Sequence, residues 1–349
     1  MIQLNLQSWL RDIDLNTFKK VLTDCLAVKK HENLLIVGDY GKPSRYISPI
    51  LTYAYAKAAR ELGLDYKVAF QHSKVRGDSA DAVMERTFRN LPPKSVIIIN
   101  MSGRIGSLDS VGLSFRKFCT DNKHRFLSAS SLASISNSKI KSLIDTYNID
   151  YDKLQERADR LKAKLDSARE IHVRTKKGTD LVMNVQGMKA LAATGVYRTL
   201  GKGGNLPGGE VYLPPKKNEV NGKIVIDGSS RTRKGTNLLK NPIILHVEKG
   251  EVVRMNQSYE AKELENSMKW AHRTAKHPWG VRRIAELGIG INPRAKIIGC
   301  TVVDEKTLGT AHFAIGSNAW FGGSIYAIIH LDQVFKDPII KVDGRLLKY

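Results

Sequence analysis

Two unbroken apolar runs constrain this chain most: residues 33–38 (NLLIVG) and 95–100 (SVIIIN). A strand without polar alternation must be covered on both faces, as in parallel sheets packed between helices. The sequence between the runs supplies the covers. Residues 48–62 place Ile50, Leu51, Ala54, Ala58 and Leu62 near one face of a helix. Residues 66–70 read as another strand and residues 78–89 as a second helix. This β-α-β-α-β order predicts a parallel sheet. The loop from Gly38 to Pro43 is neither a GxGxxG nor a Walker A motif, so an ordinary strand-to-helix turn is expected there.

The texture changes midway. Residues 151–169 are polar and charged, with Leu154, Ala158, Leu161 and Leu165 spaced as on an amphipathic helix that bridges two domains. Residues 171–174 and 181–185 then resemble strands joined by a Lys-Gly-Thr turn, and glycines crowd residues 195–209. Strands are expected at 211–213, 223–226, 243–247 and 252–255, a helix at 261–275, and more short strands from 296 onward. The predicted fold class is α/β. An N-terminal parallel-sheet α/β domain is expected over residues 1–168. A C-terminal α+β domain with mainly antiparallel strands, carrying the metal site, is expected over residues 169–349. A length of 349 residues suits two domains.

Lysine and arginine number 56 against 34 aspartates and glutamates, a net charge of +22. Such an excess attracts phosphates or acidic substrates. Arg231, Arg233 and Lys234 form one basic cluster; His272, Arg273, Lys276, Arg282 and Arg283 surround Trp279 in another. Nucleic acid is the lesser reading, because no RRM signature, KH loop or zinc finger is present and charge clusters usually face solvent. Cys25, Cys119 and Cys300 are far apart and form no CxxC, which argues against a disulfide framework and for a reducing compartment. Residues 1–15 carry charges and lack the apolar stretch of a signal peptide, and no segment approaches the ~20 apolar residues of a membrane span. A cytoplasmic protein without a membrane partner is expected.

Five side chains stand out in glycine-rich or apolar strings: Glu210 (GGNLPGGEVYLPP), Glu286 (IAELGIGINP), His312 (DEKTLGTAHFAIG), and His330 and Asp332 (IIHLD). A buried carboxylate needs a cation, a set of donors or a metal. His330 and Asp332, two apart, project from one face of a strand. Aspartate, glutamate and histidine together suit zinc, manganese, cobalt or iron, and can hold two ions through bridging carboxylates. Blander readings compete. An HxD is usually a surface ion pair, a strand-end glutamate usually meets a lysine, and a single histidine is usually a satisfied core residue. Tyr212 and Trp320 could line a substrate pocket or pack in the core. Asp304, Glu305 and Lys306 could orient His312 or form a solvated turn.

As a set, NLPGGEVYLPP, NGKIVIDGS, IAELGIGINPRA, DEKTLGTAHFAIG, FGG and HLD resemble the aminopeptidase T and aminopeptidase S family of metallopeptidases over residues 171–344. The resemblance implies two divalent ions (zinc, cobalt or manganese) held by Glu210, Glu286, His312, His330 and Asp332. It implies a metal-activated water, with Glu210 or Glu286 taking the proton, a small peptide or other small-molecule substrate, and a homo-oligomer. One position departs: the family's tyrosine ligand, seven residues after His312, is Ala319 here. The chain is also similar to the 2,5-dihydroxypyridine dioxygenases on the same scaffold, through AREIHVRTKKGTD and its overall length. That resemblance implies one Fe(II) held by two histidines and an aspartate. The HxD falls on His330 and Asp332, and the other histidine falls on Glu286. His277, in AKHPWG, is read as a surface histidine or as one lying behind the ligands. The sequence thus leads to a metal-dependent hydrolase resembling aminopeptidase T, with an Fe(II) ring-cleaving dioxygenase as the alternative.

Overall fold

The computed structural model describes residues 13–349 apart from Arg76 and Leu113. Residues 1–12, on which most of the signal-peptide reading rests, lie outside them. The chain divides into two compact units, Met1–Tyr151 with Gly195–Gly208, and Asp152–Thr194 with Gly209–Tyr349. The helix Tyr151–Asp166, expected to close the first domain, therefore lies from Asp152 onward in the second unit. The glycine-rich residues 195–208 return to the first.

The first unit holds a five-stranded parallel sheet in the order Tyr66–Gln71, Leu34–Asp39, Val96–Asn100, Arg125–Ala129, Gly203–Asn205. The two apolar runs form two of its three inner strands, Leu34–Asp39 and Val96–Asn100, and every residue of those strands is buried. The helix Ile47–Glu61 lays Ile50, Leu51, Ala54 and Ala58 into the core. The second helix starts at Ala82 rather than residue 78. The delay has a local cause: Asp81 accepts hydrogen bonds from the His72 amide at 2.8 Å and Lys74 Nζ at 2.5 Å, tying the preceding loop back on itself. The turn after the first strand is an ordinary one, in which Asp39 accepts from the Gly41 amide at 2.9 Å.

The second unit contains two seven-stranded sheets whose pairings are antiparallel. The fold is thus mixed α/β, with a parallel sheet in the N-terminal part and antiparallel sheets in the C-terminal part. One antiparallel sheet runs Glu251–Met255, Ile243–Glu248, Val220–Ile226, Asp180–Asn184, Glu170–Arg174, Ile339–Val342, Arg345–Leu346. The other runs Gly235–Leu238, Ser229–Thr232, His330–Lys336, Thr310–Gly316, Ile284–Gly290, Glu210–Leu213, Leu191–Ala193. The amphipathic helix buries Leu154, Ala158, Leu161 and Leu165, the residues its spacing singled out. Among the described residues, no helix is long and apolar enough to cross a membrane.

Candidate metal centre

Strand alternation builds the centre. On the second sheet Glu286 lies opposite Ala314, which lies opposite Asp332; Gly288 lies opposite His312; Gly290 lies opposite Glu210; and Gly316 lies opposite His330. With a side-chain period of two, the acidic and imidazole groups share one face. The odd-numbered neighbours Leu287, Ile289, Phe313, Ile315 and Phe335 point to the other face and are fully buried. Phe313 and Phe335 stack there with centroids 5.2 Å apart. Small residues at 288, 290, 314 and 316 leave room for the polar groups. Gly288 is required for this: a Cβ there would sit 2.1 Å from His312 Cε1 and 2.2 Å from Nε2.

The structure brings all five candidate residues together. His312 Nε2 lies 3.1 Å from Glu286 Oε1, and His330 Nε2 lies 3.0 Å from Asp332 Oδ1 and 3.5 Å from Glu286 Oε2. Neighbouring ligands on one ion, each bonded at about 2.1 Å, stand roughly 3 Å apart. One ligand atom from each of Glu286, His312 and Asp332 fits within 4.8 Å of the others, as does one from each of Glu210, Glu305 and His312. His330 Nδ1 donates to the Ser317 carbonyl oxygen at 2.8 Å, which leaves Nε2 as the nitrogen turned toward the cluster. Buried Glu210 Oε2 and His312 Nδ1 have no hydrogen-bond partner. The donor set and these bare atoms fit a divalent cation.

Sequence reasoning offered Lys306 as orienting His312 or lying in a solvated turn, and the structure gives it a different partner. Its side chain is 1% exposed, and its ammonium donates to Glu210 Oε1 and, at 2.6 Å, to Glu305 Oε1. The alternatives for the DEK string resolve differently residue by residue. Asp304 accepts from the Ile298 and Gly299 amides at 2.7 and 3.1 Å, Glu305 and Lys306 face Glu210, and none of the three bonds to His312. A solvated turn was the simpler reading of three consecutive charged residues, and the hint toward Glu210 was that a strand-end glutamate tends to meet a lysine.

Burial and charge set the protonation of the centre. Burial pushes the Glu210 carboxyl up to about 7 against the pull of Lys306. Burial opposes charge on Lys306, but Glu210 and Glu305 hold its ammonium well above the usual lysine range. Burial likewise opposes charge on the histidines. Glu286 nevertheless lifts His312 to about 9, and Asp332 with Glu286 lifts His330 to about 10. Asp332, despite burial, is kept well below the usual carboxylate range by His330.

Aromatic rings lie beside the cluster. Trp320 is 63% exposed and its ring lies edge-on to His330, centroids 4.8 Å apart. Tyr212 packs on Phe321 at 5.4 Å. Ala319 occupies the same short turn as Trp320 and Phe321. His277 is exposed, with its ring 5.9 Å from that of Tyr326. The basic clusters are partly spent internally: Arg282 and Arg283 pair with Glu265 and Glu251, Lys234 pairs with Glu263, and Arg233 lies over Trp270.

Buried carboxylates and imidazoles thus converge on one sheet face, in a set that could hold a metal ion. The family model for NicX, 2,5-dihydroxypyridine 5,6-dioxygenase, matches residues 135–347, and the chain belongs to that family. Over 190 residues the chain is 25% identical to the 2,5-dihydroxypyridine 5,6-dioxygenase of Pseudomonas putida KT2440. That alignment covers 52% of this chain and 53% of the relative, so the chain spans about half the length of the curated relative it matches. The solved structure of 2,5-dihydroxypyridine dioxygenase from Pseudomonas putida KT2440 aligns with a TM-score of 0.71 at 20% identity, over 95% of this chain and 94% of that one. Wild-type AmpT from Thermus thermophilus aligns with a TM-score of 0.61 at 15% identity, over 98% and 100%. Both structural likenesses are of fold. The family assignment overturns the hydrolase reading, and with it the aminopeptidase and protease descriptions. The glycine-bearing strings that suggested a peptidase are the ones that shape the site strands, and that scaffold is common to both solved structures.

Proposed function

We propose that the chain is a mononuclear Fe(II)-dependent ring-cleaving dioxygenase acting on a hydroxylated pyridine or a similar small anionic aromatic ring. The observation that carries the reading is the family match, whose residues 135–347 enclose the whole cluster. Glu286, His312, His330 and Asp332 are the residues that would hold the ion. When bound, Fe(II) supplies the redox chemistry that activating oxygen against an aromatic ring requires.

The remaining work belongs to the chain's own side chains. The hydrogen bond from His330 Nδ1 to Ser317 fixes the imidazole toward the carboxylates. Glu210, fixed through Oε1 by Lys306, presents a bare Oε2 and titrates near 7, which suits it to take the proton of a ring hydroxyl at neutral pH. Trp320, exposed beside His330, offers a ring on which a planar substrate can stack. The +22 charge favours approach of an anionic substrate.

The test is oxygen uptake by anaerobically purified, Fe(II)-loaded protein supplied with 2,5-dihydroxypyridine and then with related dihydroxylated rings. Uptake of one O2 per ring consumed is expected. Protein that holds iron but consumes no oxygen with any such ring would sink the proposal.

A further inference from the structure

Two overlapping groups of candidate ligands lie in the centre and share His312. One comprises Glu286, His312 and Asp332 and the other Glu210, Glu305 and His312, each set offering three ligand atoms within 4.8 Å. The second set already holds a positive charge. Lys306 comes off the turn after the helix Thr301–Asp304, and its ammonium is hydrogen-bonded to Glu210 and Glu305. The lysine is held from both ends. Its amide donates to the Val303 carbonyl at 3.0 Å, and its carbonyl accepts from the Asn292 amide at 2.8 Å. Glu210 Oε2, buried without a hydrogen bond, lies 3.8 Å from His312 Nε2. Glu210, Glu305 and His312 are the groups a divalent ion would take up if the ammonium left.

We propose that Lys306 is a built-in cation standing in for a second metal ion, so that this chain binds one divalent ion and reserves Glu210 from coordination. The inference rests on the metal-centre reading above. The charges support it. The ammonium is held between the Glu210 and Glu305 carboxyl groups, and a divalent ion placed beside it would meet a like charge in a poorly screened interior. Removing the lysine leaves two buried carboxylates unpaired, a state that draws in either protons or a cation.

The experiment counts ions. Metal-free full-length protein and its Lys306→Met variant are titrated anaerobically with Mn2+ by calorimetry, and bound metal is then measured by elemental mass spectrometry. One equivalent is expected in the parent chain and two in the variant. The double variant Lys306→Met with Glu210→Gln, which removes both members of the ion pair, should return to one. If Lys306→Met folds only when Mn2+ is added, the ion is replacing the ammonium and the proposal stands. Two equivalents in the parent chain would overturn it. So would one equivalent in a folded Lys306→Met variant, or failure of that variant to fold with Mn2+ while the double variant folds. A parent chain that binds no Mn2+ and no Fe(II) would instead remove the metal-centre reading itself, and this inference with it.

Discussion

Replacing Gly288 by alanine tests the centre with a single methyl group. The new Cβ would lie 2.1 Å from His312 Cε1 and 2.2 Å from Nε2. Non-bonded carbons sit comfortably at about 3.5 Å or more, so the imidazole must retreat by roughly 1.4 Å. His312 is 1% exposed, and its surroundings offer no slack. Metal bonds tolerate about 0.2 Å. The displaced ring therefore stops being a ligand, at a cost of at least ~100-fold in metal affinity, beyond what loss of an outer hydrogen-bond partner exacts. Overpacking also destabilises the fold by about 1–3 kcal/mol, several degrees of melting temperature. A control separates the two effects. Gly222→Ala, on the other antiparallel sheet, places a Cβ 2.2 Å from the Asp180 carbonyl oxygen at φ +131°, and should lower the melting temperature without changing metal affinity. The assay is calorimetric titration of metal-free protein with Mn2+, beside thermal melts. A Gly288→Ala variant that melts lower yet binds Mn2+ like the parent would refute the assignment of His312 to the ion.

Asp332→Asn keeps the shape of the side chain and removes its charge from His330, 3.0 Å away; metal affinity should fall at least ~100-fold by the same titration, with turnover lost in parallel. In the metal-free protein His312 and His330 bind protons more tightly folded than unfolded. The stability they add is whole below about pH 6.5 and is lost as pH rises through about 9 and 10, at up to about 1.4 kcal/mol per pH unit for each group. Melting temperatures of metal-free protein should therefore fall between pH 6.5 and 10 more steeply than those of loaded protein, and parallel curves would count against the cluster. Burial raises the thiols, Cys119 to about 12 and Cys25 further still, and Cys300 is also buried; a thiol reagent should titrate none of the three in native protein and all three after unfolding.

What the sequence revealed follows from how local each signal was. The strands Leu34–Asp39 and Val96–Asn100 announce themselves because both faces are apolar, and the helix Tyr151–Asp166 because one stripe is. Gly203–Asn205 carries no apolar side chain; it is a strand only because the Arg125–Ala129 edge offers it hydrogen-bonding partners. Glu210, Glu286, His312, His330 and Asp332 were legible because polar groups among glycines and apolar residues demand a reason. Lys306 was not, because its burial depends on Glu210, nearly a hundred positions away, and nothing in DEK distinguishes a buried lysine from a wet one. The reaction was misjudged for a related reason. The glycines that admit a crowded site face are set by strand geometry, and strand geometry does not choose between a hydrolase and an oxygenase.

The interleaved path of the chain has a consequence for its synthesis. The parallel sheet of the first unit gains its edge strand only from Gly203–Asn205, after the chain has already built the beginning of the second unit at Asp152–Thr194. A ribosome delivering residues in order therefore releases an N-terminal half whose Arg125–Ala129 edge stays open until some seventy further residues have emerged. Open strand edges are where nascent chains pair wrongly. Fragments cut at residue 151 should inherit the same exposed edge and aggregate.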